Sequence, residues 1–308
     1  MKKIQIGLII AMLLVFNAQV VADGSLSAFL KVGVMATGLN ESAQKIKATL
    51  SNGENDFGYT AFEILGEYSP AQNPDFIVIA FTRADLREVT ENIGERAVMA
   101  SILKLSLNKT QTGETEICLL NPEYLFYAYL RESMDEYEAD LNTIAMEVKL
   151  ALQSIVENAQ FLPFGGNSST DELKEYRFMV RFPSFDEPVE IETFTSFEQG
   201  VATIRKNLKA KRGGTVKVYE TVSEGKKLAV FGIGLLDLRG GESKFLPEIG
   251  FNNIAAMPYE LVLVDNKATI LHGKYRFPLF WSNLTMADLN ELRSTPKNIE
   301  TTMKDLTK

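Results

Sequence analysis

Leu39, Ala43, Ile46 and Leu50 are spaced 0, 4, 7 and 11, and Phe197, Val201, Ile204 and Leu208 repeat that spacing later in the chain. Each set forms one apolar stripe of an amphipathic helix. Asn40 and Ser196 are expected as N-caps, with Glu41 and Glu198 in the first turns. A polar, glycine-containing turn follows each helix, Ser51-Asn52-Gly53 in one case and Arg212-Gly213-Gly214 in the other. Two strand-like runs come next: Phe62–Tyr68 and Phe76–Phe81 in the first half, Val216–Tyr219 and Leu228–Leu235 in the second. Ala84–Arg87 then matches Leu236–Arg239. Third strands are expected at Ile102–Leu107 and Tyr259–Val264, and fourth strands beginning at Ile117 and Ile270. Tyr124-Leu125-Phe126 and Tyr275-Arg276-Phe277 close the two units. The matches keep register at offsets between about 151 and 158 residues. An order this regular marks an internal duplication. It predicts an α+β protein of two units, each an antiparallel sheet with a helix packed on one face.

A helix is expected from Met134 to about Ala159, because Leu141, Ile144, Ala145, Val148, Leu152, Ile155 and Val156 recur at helical spacing. It joins the units and is followed by an exposed loop at Phe164–Ser169. The expected organisation is residues 23–133 as the first unit, 134–169 as linking helix and loop, and 170–308 as the second unit. The stretch from Met286 to Leu306 reads as one or two short helices broken at Pro296.

Residues 1–22 read as a secretory signal peptide. Lys2 and Lys3 precede an apolar run from Ile6 to Phe16, and Val20 and Ala22 occupy the −3 and −1 positions of a small-residue cleavage site. The run is short for a membrane span of about 20 residues. No cysteine follows it to carry a lipid anchor, and no second long apolar segment appears. The expectation is a periplasmic or secreted chain cleaved near Ala22, with no transmembrane segment after cleavage.

Composition narrows the chemistry. One cysteine removes intramolecular disulfides and multi-cysteine metal sites, and one histidine removes HExxH zinc chemistry. A net charge of −8 argues against a nucleic-acid partner. Cys118, within the apolar run Ile117–Leu120, is expected as a buried small hydrophobe. The chain has no GxSxG elbow, no Walker loop and no glycine fingerprint opening a helix. Five basic residues between Arg205 and Arg212 suit a helix C-terminus, or an anionic surface. Asp135, Glu136, Glu138 and Asp140 suit the start of the long helix. Asp85 and Asp237, at matching positions, are expected to cap short helices.

The runs Phe62–Tyr68 and Ile77–Thr82, the segment Phe197–Leu208 with its paired strands, and the stretch from Ala255 through Phe277 carry a resemblance. The chain resembles tandem members of the bacterial domain-of-unknown-function family 302, the TT1751-like proteins, over about residues 35–130 and 185–285. The resemblance implies an α+β fold with a sheet covered by helices on one face. Single-unit members are similar to dimer-forming domains, so a tandem copy would be a covalent pseudo-dimer with approximate twofold symmetry. It implies no catalytic residues.

The densest group of chemically capable residues ends the second unit. If a strand runs through Gly273, then His272, Lys274 and Arg276 share one face, with Tyr275 beside them and Tyr259 and Glu260 on the preceding strand. Such a group could take an anionic or aromatic ligand, and His272 could serve as a haem axial ligand or as the base of a hydrolase. The bland alternative leaves His272 at a strand end and the two cations in solvent. No cofactor follows from these residues. The leading expectation is an exported, non-catalytic binding or accessory protein, its site in the cleft between units or on the second-unit sheet face. The alternatives are an envelope enzyme using His272, or an interaction protein docking an envelope partner, or a second copy, through the long helix.

Overall fold

The computed structural model describes residues 24–238 and 240–308. The expected signal peptide and its cleavage site lie outside the described residues, as does Arg239. The first unit runs β1 (Ser25–Met35), α1 (Leu39–Leu50), β2 (Glu63–Tyr68), β3 (Phe76–Thr82), α2 (Ala84–Ile93), β4 (Leu103–Lys109), β5 (Thr115–Leu120) and α3 (Pro122–Leu130). Next come α4 (Met134–Gln153), β6 (Leu162–Ser169) and α5 (Thr170–Lys174). The second unit runs β7 (Val189–Thr193), α6 (Phe197–Lys209), β8 (Thr215–Ser223), β9 (Leu228–Leu235), α7 (Glu242–Ile249), β10 (Tyr259–Val264), β11 (Lys267–Ile270) and α8 (Gly273–Phe280). Helices α9 (Met286–Glu291) and α10 (Thr295–Leu306) follow.

The described strands form two sheets, ordered β2-β3-β4-β5-β1-β6 and β7-β11-β10-β9-β8, with antiparallel neighbours throughout. The fold is α+β. With β6 set aside, the strand orders are the same. The registers also agree. Ala80 faces Gly66 and Lys104 on its two sides, and Gly232 faces Tyr219 and Glu260. The outer hairpins carry bulges at matching places, between Ile64 and Gly66 and between Lys217 and Tyr219. The β1–β5 and β7–β11 ladders shift around Val32 and Ile191 respectively. A bulge is a specific local device, so its recurrence at two equivalent places supports the duplication more strongly than matched periodicity.

Helix α1 packs on β2, β3 and β4, and α6 packs on β8, β10 and β11. The units also reach across to each other reciprocally. The 3-10 segment Glu95–Ser101 lies on β9 and β10, while Ile254–Ala256 lies on β3 and β4. Tyr124 of α3 donates its hydroxyl to the Leu279 carbonyl at 2.8 Å, and Tyr275 of α8 donates to the Ala128 carbonyl at 3.3 Å. Residues 124 and 275, and 128 and 279, are each 151 apart, so these bonds are one contact made twice. Tyr129 and Phe280, also 151 apart, meet edge to face at 6.3 Å. Exchanged contacts of this kind characterise an isologous interface.

Several expectations are corrected. The segments holding Tyr124–Phe126 and Tyr275–Phe277 are helices α3 and α8, not strand ends, and β11 ends at Ile270 instead of starting there. Both helices are buried nearly all round, so they show no amphipathic period. The expected loop at Phe164–Ser169 is part of β6, which pairs with β1. Asn40 lies inside α1, whose N-cap is Gly38, whereas Ser196 does cap α6 by accepting from the Gln199 N–H. Asp85 lies inside α2, where it holds the Arg83 guanidinium. Pro296 sits in the first turn of α10, where proline is tolerated. The apolar stripe of α4 faces inward, with Leu141, Ile144, Ala145, Val148 and Leu152 buried and α1, α2 and α3 packed on the helix. That stripe is therefore not a free docking face.

Candidate functional site

The six residues singled out in sequence fall into two places. Tyr259, Glu260, Tyr275 and Arg276 are all buried at the junction of the units, whereas His272 is half-buried and Lys274 is exposed. The expected single strand face does not form, because a helix turns these side chains in different directions.

Glu260 is the centre of the junction. Its carboxylate accepts from the Lys104 ammonium of β4, from the Tyr219 hydroxyl at 3.1 Å and from the Arg276 guanidinium at 3.3 Å. Arg276 also donates to the Pro258 carbonyl at 2.9 Å and to that of Ala256, with its guanidinium 4.3 Å from the Tyr259 ring centroid. Lys104 and Glu260 are only 4% exposed and Arg276 1%. Burial alone would raise the Glu260 carboxyl, but Lys104 and Arg276 outweigh it and hold the group below the usual carboxylate range. Lys104 and Glu260 occupy matching register positions in β4 and β10, since each faces the equivalent residue, Ala80 or Gly232. In two identical units, this contact would put like charges together. Opposite charges at the equivalent positions turn that repulsion into an ion pair.

The same junction explains two glycines. A Cβ on Gly66 would stand 2.0 Å from the Val218 carbonyl oxygen, and a Cβ on Gly232 would stand 2.3 Å from the Tyr219 ring. The first unit therefore has Gly66 where the second has Tyr219, which lets the edge strands β2 and β8 approach. A second buried carboxylate, Glu242, ties the units together. It accepts from the Ala71 N–H at 2.8 Å, the Leu235 N–H at 3.0 Å and the Tyr68 hydroxyl at 3.3 Å. Burial nevertheless raises it to about 7.

His272 is the N-cap of α8, its Nδ1 accepting from the Lys274 N–H at 3.0 Å. Burial lowers its imidazole below the ordinary histidine value. Its hydrogen bond is to backbone, and no serine, cysteine or aspartate stands against it in a nucleophile–base pairing among the described residues. Cys118 is buried, and burial pushes its thiol up to about 12, far from a reactive thiolate. The basic end of α6 holds backbone: Arg212 donates to the Lys308 carbonyl at 2.6 Å, and Asn207 donates to those of Leu306 and Lys308.

Lys274 borders a groove of about 210 Å³ on the outer side of α8. Phe277 of α8, Leu289 of α9, and Leu292 and Pro296 line it, with Phe182 and Met286 alongside. Gly273 permits the close approach of α10 here, since a Cβ would stand 3.0 Å from Pro296. The charged residues lining the groove are Lys274 and Arg293, both exposed and neither paired with a carboxylate among the described residues. The Lys274 ammonium lies 5.6 Å from the Phe182 ring centroid. Asp288 on α9 is occupied at the helix start, accepting from the Thr285 N–H and hydroxyl.

Sequence reasoning reached Lys274 but not Arg293, Phe182 or Leu289, which lie on three other segments. It also missed Lys104, because the alternation Leu103-Lys104-Leu105-Ser106-Leu107 reads as a half-exposed strand with Lys104 on its solvent face. No protein-family model matches the chain, and no curated protein matches it. The resemblance to family 302 rests on the residue patterns alone. Among the described residues no helix is long and apolar enough to cross a membrane.

Proposed function

We propose that this is an exported, periplasmic or secreted, binding or accessory protein without catalytic activity, and that it holds a small anionic molecule in the groove beside α8. The observation that carries this reading is the pairing of an apolar groove with two cations, Lys274 and Arg293, that have no acidic partner among the described residues. Ligand sites commonly combine an apolar lining with a few orienting polar groups. The four buried members of the sequence-derived group act instead as scaffold. Apart from Arg276 Nε, their polar atoms are engaged with Lys104, Tyr219, one another and main-chain carbonyls. The use of His272 Nδ1 as a helix cap favours binding over base catalysis.

An anilinonaphthalene sulfonate dye, an apolar body with one anionic group, is the first probe. Titration of the folded chain is expected to give one saturable fluorescence enhancement. The Lys274→Glu/Arg293→Glu variant, altered only at exposed positions, is expected to weaken it at least tenfold. Equal dye affinity in that variant would remove the groove as the site.

A further inference from the structure

The groove also indicates the kind of anion it would take, an inference that rests on the functional reading above. We infer that its ligand is a single-chain aliphatic carboxylate whose tail lies in the groove and whose head meets Lys274 and Arg293. Three observations carry this.

The lining is aliphatic where it is free. Phe277 is already engaged edge-on with Phe245 at 5.5 Å and Trp281 at 6.0 Å, and Phe182 with Phe178 at 5.5 Å and the Lys274 ammonium. Leu289, Leu292, Met286 and Pro296 remain, and they offer dispersion and water exclusion without directional bonds. Polar occupants would find Asn290 as the one uncharged polar side chain among the lining residues.

The size suits a chain of moderate length. A volume of about 210 Å³ lies below the roughly 300 Å³ at which pockets for drug-sized ligands begin, so it suits a small ligand such as an eight-carbon acid.

The charge is asymmetric. Both charged lining residues are cations, in a chain whose net charge is −8. An arginine fork receives a carboxylate through two parallel hydrogen bonds, and a lysine adds a point charge. A neutral or cationic amphiphile would leave these groups unused.

Calorimetric titration of the full chain with octanoate, butyrate, octanol and octylammonium tests the inference. Octanoate is expected to bind once per chain and to displace the sulfonate dye. Affinity is expected to fall roughly fourfold for each methylene removed, following the burial of aliphatic surface. Lys274→Glu/Arg293→Glu is expected to weaken octanoate at least tenfold, and Leu289→Trp, which fills the groove, to abolish binding. If Leu289→Trp does not fold, the charge-reversed variant carries the test alone. Octylammonium or octanol binding as tightly as octanoate, or butyrate binding as tightly, would overturn the inference. Dye binding sensitive to the charge reversal but indifferent to octanoate would overturn the ligand class and keep the groove. Failure of both probes would overturn the groove as well.

Discussion

Glu260→Ala is expected to destabilise the folded chain by about 3–5 kcal/mol, among the largest effects of any single change, because it strands two buried cations. Arg276 would keep its charge in a site that is at most 4% exposed, and Lys104, whose ammonium burial already holds below its ordinary range, would either stay charged or shed its proton, each at a cost, with the shared carboxylate gone. The chemical unfolding midpoint measures the loss. The triple variant Lys104→Met/Glu260→Leu/Arg276→Met removes all three charges and keeps most of the volume. It is expected to lose less than Glu260→Ala alone, since exchanging a complete buried ion cluster for apolar groups is often near neutral. A triple variant as unstable as the single one would mean that packing, not charge, dominates the junction.

The second large effect is a pH dependence set by Glu242. Its folded carboxyl lies at about 7 against an ordinary 4.5, so between these values the folded chain binds more protons than the unfolded one. The stability that Glu242 contributes is therefore greatest below about 4.5, falls as pH rises through the window, and levels off above 7. The gap corresponds to about 3 kcal/mol. His272 acts in the opposite sense, because burial lowers its folded value below 6.5 and stability from it rises with pH. Glu242→Gln leaves His272 in place and isolates the carboxylate. The expected result is that this variant loses the downward slope that the parent shows between 4.5 and 7. An unchanged slope would assign the pH dependence elsewhere.

Elements whose two faces differ in environment were legible from sequence. Phe197 to Leu208 alternates apolar and polar residues with helical period, and α6 forms there. Tyr259–Val264 is a run apolar apart from Glu260, bounded by Pro258 and Asp265, and β10 matches it residue for residue. Buried-all-round elements were not legible, because α3 and α8 lack a polar face and their aromatics suit a strand equally well. Strand β6 was hidden by Gly165 and Gly166, which suggest a turn but here lie in an outer strand beside β1. The duplication was visible as repeated spacing. The Lys104–Glu260 pair was not, since its members are 156 residues apart and their contact depends on how the two sheets meet. The groove was visible only through Lys274, because its other walls come from Phe182, α9 and the start of α10.

On the proposed reading the junction is scaffold and the groove is the binding site, a division that hydrogen exchange on the full chain, with and without octanoate, tests most directly. The account predicts that amides of β4 and β10 exchange slowly in both states, and that added protection is confined to α8, residues 286–296 and the segment around Phe182. Fast exchange in β4 and β10 that becomes slow on binding would contradict it, because the junction would then be an open cleft closing on the ligand. An unchanged pattern throughout would contradict it as well.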